Sequence, residues 1–412
     1  MTAGNRIERK AGQDAGEMMH ASPSLFSRLA PTGLSAAPLI AVERDFARAA
    51  PLLREFERAN PGQLFQRLDW VAAWAETQGR AQGVEPVIVI LCDATGAPVA
   101  LLPLGVRNWR AVRIVEWLGG EHASFNLPLT RGDGLRFDSP DAAKDCLRAI
   151  GRAIGDVDVF SLASQPRAFQ GRAHPFLGVG ETPLFDHGYE RALGGSGEVL
   201  ISRILTGDAR KKLRAKEKRL GEAGAIKVWR AEFPNERQAA LDVFLKQSAE
   251  RFAKAGIANP FDDPAAIAFL QRATNPAEGP PAIALHLLSV GDRIVAIFGG
   301  PQDSARFSGM FTSFHDAPEI ARNSPGDILL RHLVASLSDA GLTEFDLGVG
   351  EARYKRAYCD RAIPMFETYL ACSSAGFIVA KALQSKAIAK RFIKARPELL
   401  AFTRRVLPKS LV

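Results

Sequence analysis

The chain has 412 residues, 47% hydrophobic and 24% charged, which at about 150 residues per domain implies two or three folded domains and excludes a disordered or collagen-like chain. No apolar run approaches the 18 or so residues of a membrane span, and Cys92, Cys146, Cys359 and Cys372 stand far apart, without zinc or redox spacing. The expectation is a cytoplasmic protein with reduced, mostly buried thiols and no metal. The net charge of +8 belongs to residues 376–412, which hold nine Lys or Arg against one Glu, while 44 of each sign precede them. The body therefore lacks the basic excess of a DNA-binding domain.

Residues 1–36, rich in Gly, Ser, Ala and Pro with no apolar period, read as a flexible leader. Over 37–195, Trp70 and Trp74 at i, i+4 spacing read as helix core. Runs at 87–92, 99–106 and 112–118, the first two joined by the turn Asp93-Ala94-Thr95-Gly96, predict an antiparallel meander. A helix over 141–154 and a strand over 157–162 follow. Over 196–375, helices at 209–222 and 236–254 open a second copy of this order. It continues with strands at 283–290, 294–298 and 306–314, a Gly291-Asp292 turn, a helix at 325–340 and a strand at 345–347. Matching elements recur about 190 residues apart, and Val157-Asp158-Val159 aligns with Phe345-Asp346-Leu347, so two similar α/β halves account for the order. Residues 376–412 form a basic helical tail in which Lys386, Lys390 and Lys394 share one face before Pro397.

Four segments carry a resemblance to a known family: Leu101-Leu102-Pro103-Leu104 with Trp117-Leu118-Gly119; the basic helix around 210–224; Asn323-Ser324-Pro325-Gly326-Asp327-Ile328-Leu329-Leu330; and Phe345-Asp346-Leu347-Gly348-Val349-Gly350-Glu351-Ala352-Arg353-Tyr354-Lys355. Together they resemble the GNAT-like acyltransferases of the CelD (cellulose-biosynthesis) type, related to the Fem-type aminoacyltransferases. The resemblance implies an α/β (α+β) fold of two tandem GNAT-like domains, each a mixed, mostly antiparallel sheet flanked by helices. It also implies transfer of an acyl group from acyl-CoA, acetyl-CoA in the simplest case, to an amine or hydroxyl of a small, carbohydrate-linked acceptor.

Acyl transfer needs a nucleophile freed of its proton, donors on the developing oxyanion and an acid for the departing thiolate. If residues 351–358 are helical, Glu351, Tyr354, Lys355 and Tyr358 share one face past the strand's carboxyl end. Lys355 then acts as the cation on the oxyanion or donor phosphate, Tyr354 or Tyr358 as acid and Glu351 as base. The resemblance to Fem-type proteins implies a reacting-centre role for Lys355. Asp346, inside an apolar strand, orients a neighbour or caps local amides. In the bland alternative, Glu351 and Lys355 are a surface pair and the tyrosines pack by their rings.

Donor binding is the less legible part. The turn before the 325–340 helix has Pro325, which lacks an amide, and Asp327, which adds a negative charge. Ser324 reads better as an N-cap there, with Gly326 behind it and both as donor-site candidates. Eight cations between Arg203 and Arg219 offer phosphate contacts instead, and Arg210 and Arg214, one turn apart, are the candidates the resemblance implies. Glu121 and His122 follow Trp117-Leu118-Gly119-Gly120 and could face a cleft between the halves as acceptor-site residues. An aminoacyl transferase using charged tRNA or a carrier-protein thioester, and a non-catalytic scaffold, remain open, as does the oligomeric state. For the tail, a helix docked on the second half is favoured over peripheral membrane contact through residues 377–409.

Overall fold

The computed structural model describes residues 38–131 and 135–396. The expected leader at 1–36 and the stretch from Pro397 onward lie outside the described residues. The chain opens with strand β1 (Leu39–Glu43), helix α1 (Phe46–Ala59) and helix α2 (Leu68–Trp74). Trp70 and Trp74 are fully buried. Strands β2 (Val84–Cys92), β3 (Pro98–Trp109) and β4 (Val112–Trp117) form the expected antiparallel meander. The Asp93 carboxylate accepts from the Thr95 and Ala97 amides and closes its first turn. Helix α3 (Pro140–Ile154), capped by Ser139, crosses to β5 (Val159–Pro166). β5 pairs in parallel with β4 through Ile114↔Val159 and Val115↔Phe160.

Strand β6 (Gly188–Ala192), helix α4 (Gly197–Ile204) and helix α5 (Gly207–Gly221) follow. The plan then repeats as strand β7 (Ile226–Arg230), helices α6 (Pro234–Ala255) and α7 (Pro264–Thr274), and strands β8 (Ala284–Val290), β9 (Arg293–Gly300), β10 (Arg306–Ser308) and β11 (Phe311–Phe314). Helix α8 (Pro325–Asp339) crosses to β12 (Glu344–Val349), and helix α9 (Arg353–Tyr358), strand β13 (Met365–Ala371) and helix α10 (Ser374–Lys394) complete the described chain. The first copy reads β-α-α-β-β-β-α-β, and the second follows the same order with one more strand, the short β10, between β9 and β11; in each, antiparallel hairpins are accompanied by one parallel pair. The fold is mixed α/β with mostly antiparallel sheets.

Several expectations change. The second copy begins with strand β7, which pairs with β8, and α5 precedes the repeat; β7 is five partly exposed residues between two long helices and carries a weak signal. The single strand expected over 306–314 is two: β10 pairs in parallel with β12, and β11 pairs antiparallel with β9. Asp158 stands ahead of β5, accepting from the Arg113 amide, whereas Asp346 lies within β12, so the two are not equivalent. The halves also trade strands. β6 pairs with β12 (Glu190↔Asp346), and β13 pairs with β5 (Tyr369↔Ser161). One apolar cluster runs from Leu53, Trp70 and Phe125 to Phe244, Phe269 and Phe311, across both halves. α10 lies on the outer face of the first half's sheet, with Val379 and Ala380 against Ile114 and Val159, and not on the second half as favoured above.

At the junction the Arg306 guanidinium is enclosed by three carboxylates. It donates to Asp346 Oδ2 at 2.9 Å, to Glu190 Oε2 at 3.0 Å and to Glu344 Oε2, with the Phe169 ring centroid 4.6 Å away. Asp346 Oδ1 also accepts from Ser308 Oγ at 2.6 Å and from the Gly348 amide at 2.9 Å. Removing the cation strands buried carboxylates, so Arg306→Met is expected to lower the unfolding free energy by about 3–5 kcal/mol in chemical denaturation. A denaturation midpoint equal to the wild type's would refute the network's importance.

Two histidines add a pH dependence. His174 donates from Nε2 to the Asn126 carbonyl and accepts at Nδ1 from the Phe176 amide, so both nitrogens are used by the neutral ring. Burial pushes His174 down to about 3 and His286 to about 4. A depressed histidine pKa means that the unfolded chain takes up protons that the native state refuses. Stability is therefore complete above the unfolded value of about 6.5 and falls as the pH drops from there toward about 4, by up to ~1.4 kcal/mol per pH unit per histidine. His174→Gln should flatten the wild-type slope between pH 6.5 and 4.5; an unchanged slope would sink this account.

Candidate functional site

The parallel pairing of β10 with β12 is brief. It ends where the Gly309 amide donates to the Asp346 carbonyl at 2.8 Å. Beyond that bond the chain of Gly309 turns to join β9 as β11, while β12 runs on to Val349 beside Gly188 of β6. The two strands splay at their carboxyl ends, leaving Met310 and Val349 only partly covered. The loop after β4 reaches this gap: Ser124 Oγ lies 2.8 Å from the position a Cβ on Gly348 would occupy.

α8 starts at the same end, with Gly326 against the Phe314 side chain. α5 is held on α8 by Glu217, which accepts from Arg331 and meets His332 Nε2, each at 2.5 Å. Lys216 on α5 donates to Ser324 Oγ at 2.7 Å, which puts an ammonium on the helix's N-terminus. Ser324 occupies the N-cap position expected from sequence, but without the expected capping bond: its φ is 52°, and its hydroxyl accepts from Lys216 and not from an α8 amide. Lys216 was missed because all eight cations of this cluster look alike in sequence, and only the helix crossing distinguishes them. Arg214 pairs with Glu198 at 3.7 Å on the exposed surface. Arg210 is half-buried, and among the described residues its Nε has no partner.

The four residues expected on one helical face do not share one. Gly348 and Gly350, at φ 66° and 109°, turn the chain after β12, and α9 begins only at Arg353. Glu351 lies ahead of the helix. Its carboxylate accepts from Tyr189 Oη at 2.6 Å and Arg356 Nη2 at 2.5 Å, with His187 Nδ1 3.7 Å away. The Tyr189 bond leads in holding Glu351 below the usual carboxylate range, which makes it a weak base. It lines a pocket of about 670 Å³ together with Phe185, His187, Tyr189, Arg356 and Arg361.

Lys355 points inward and donates to the Val349 carbonyl at 2.9 Å. Burial lowers its pKa, opposed by Asp346 and other nearby anions. Tyr354 is half-buried beside Arg251, whose Nη1 donates to the Thr312 carbonyl of β11, so it borders the splay. Tyr358 is buried in the core and turned toward Asp327 and Arg331 of α8; burial raises its pKa. Asp346 is fully buried in the Arg306 network. His122 stacks on Phe269 of α7 at 5.3 Å between the halves, with Nε2 unpartnered among the described residues, and burial lowers its pKa. Glu121 is beside it, exposed.

Residues 207–356 match a family model described as an acetyltransferase (GNAT) domain. The match makes this segment GNAT-like. Solved structures extend the likeness of fold over most of the chain. FemX aligns with a TM-score of 0.56 and 8% identity over 80% of this chain and 98% of its own. A conserved protein of unknown function from Bacteroides thetaiotaomicron VPI-5482 aligns with a TM-score of 0.52 and 11% identity over 80% and 99%. A tandem GNAT protein from the clavulanic acid biosynthesis pathway aligns over 81% and 99%, with a TM-score of 0.42 and 10% identity. No curated protein matches the chain. The GNAT-like domain contains the splay, α5, α8 and Lys355 together.

Lys355→Met removes a buried ammonium and one hydrogen bond, so its stability should stay within about 1 kcal/mol of wild type. If Lys355 serves an oxyanion as the sequence analysis expects, acyl-transfer turnover should fall by about 10²-fold or more. Near-normal turnover by a folded variant would remove Lys355 from the chemistry.

Proposed function

We propose that this protein is an acyltransferase of the CelD-like kind, moving an acyl group from acyl-CoA to an amine or hydroxyl of a small, carbohydrate-linked acceptor used in polysaccharide or envelope assembly. The observation that carries the reading is the splay of β11 from β12, with the N-terminus of α8 and Lys216 at its mouth. Such a gap accepts an extended thioester arm without breaking any ladder bond, and a helix terminus with a lysine on it attracts phosphate. Lys216, the half-buried Arg210 and the Ser324-Pro325-Gly326 turn would meet the donor's phosphates, whereas Arg214 pairs with Glu198 at the surface.

In this reading Lys355 keeps N–H donors free for the oxyanion beyond the one spent on Val349. Tyr354, at the splay, returns a proton to the departing thiolate, a role for which the core-packed Tyr358 is less suited. Asp346 positions β12 through Arg306. Glu351, a weak base, holds a cationic or hydroxylated acceptor in the pocket with His187 and Tyr189 in place of taking its proton. Glu121 and His122 belong to the first-half loop that also brings Ser124 to the gap, and they would border the acceptor's path.

A second reading, a Fem-like aminoacyl transferase fed by charged tRNA or a carrier-protein thioester, is favoured by Pro325 and Asp327, which weaken the α8 terminus as a cradle for pyrophosphate. Calorimetric titration with acetyl-CoA, longer acyl-CoAs and free CoA separates the two. A CoA ligand should bind, and Lys216→Ala should weaken it about 10-fold with an unchanged melting temperature. Absence of binding by every CoA species would reject the donor, and salt-sensitive binding of tRNA in its place would support the second reading. Tyr354→Phe should lower kcat about 10²-fold with little change in KM; an unaltered kcat would dismiss it as the acid.

A further inference from the structure

We propose that helix α10 is a docking face for an anionic membrane surface. From Ser374 to Arg396 the chain carries six cations, Lys381, Lys386, Lys390, Arg391, Lys394 and Arg396, and no carboxylate. One face is spent on the fold: Val379 and Ala380 are buried against Ile114 and Val159, and Lys394 pairs with Asp186. The opposite face is apolar yet open, with Phe377 56%, Ile378 72%, Ile388 54% and Phe392 52% exposed. At 100° per residue these four fall within one arc, and Lys381 lies inside it. Lys381 lies 5.7 Å from the Phe377 ring centroid, and the Arg396 guanidinium carbon 3.5 Å from that of Phe392, so each exposed ring has a cation one turn further on.

Charge chooses the occupant. A second copy of the helix laid stripe to stripe would bring lysines and arginines against each other with no carboxylate to answer them. A nucleic acid would satisfy the cations and leave two phenylalanines and two isoleucines in water. An anionic bilayer answers both parts: the rings and isoleucines enter the headgroup boundary while the flanking cations meet lipid phosphates. Lys and Arg have the length to keep their charge at that level while their stems lie along the apolar stripe. No described helix is long and apolar enough to cross a membrane, so the contact is one of lying on the surface.

The test is co-sedimentation of the full chain with vesicles of phosphatidylcholine alone or with about a third phosphatidylglycerol, at low salt and at about 0.5 M NaCl. Wild type should partition at least ~10-fold more strongly onto the anionic vesicles, and less so at high salt. Lys381→Glu/Arg391→Glu should lose ~10-fold at low salt, and Ile378→Ser/Phe392→Ser a similar factor at both salts. All four positions are exposed, so the melting curves should match wild type and report that the fold is intact. Equal partition onto neutral and anionic vesicles, no partition at all, or wild-type binding by either double variant would overturn the proposal. So would a dimer in light scattering that Ile378→Ser/Phe392→Ser converts to monomer, or duplex DNA binding that outcompetes the anionic vesicles.

Discussion

One guanidinium ties the two halves of this chain together. Arg306 on β10 meets Asp346 and Glu344 on β12 and Glu190 on β6, and Glu190 comes from the end of the first half. A cation enclosed this completely is tolerated only beside carboxylates, and three carboxylates placed together require the cation in turn. The cluster therefore sets the register of three strands at once. It holds β10 beside β12 for just three residue pairs, after which the strands part. The gap at the candidate site is a consequence of where this ionic knot stops.

Strand exchange makes that arrangement hard to divide. β6 completes the second half's sheet and β13 completes the first half's, so neither half closes its own sheet. The shared apolar cluster from Leu53 to Phe311 has the same effect in the core. The loop carrying Gly120, His122 and Ser124 is thereby fixed against Phe269 and Gly348, elements of the other half. A cleft built in this way draws its walls from both copies of the repeated plan, although the splay, α5 and α8 lie in the GNAT-like segment 207–356.

The repeat itself was legible, because hydrophobic runs and turn residues such as Asp93-Ala94-Thr95-Gly96 and Gly291-Asp292 are local signals. β7 was not, since five half-exposed residues carry little periodicity beside two long helices. Residues 306–314 read as one strand because both segments are apolar and β-prone; their separation depends on two different partners distant in sequence. Site residues were legible by segment and not by role. The run 345–355 was legible as a strand and the turn past it, yet two glycines at positive φ turn Glu351 toward Tyr189 and Lys355 toward Val349.

By itself the sequence determined the mixed α/β plan, its duplication, the buried tryptophans and the cationic stretches, all of which follow from neighbours along the chain. Tertiary structure alone decided which cation serves which end. Lys216, not Arg214, reaches Ser324, and the basic helix α10 lies on the first half. The physical reason is that a side chain's partner is set by the angle at which two elements cross, and crossing angles come from the summed packing of residues hundreds of positions apart.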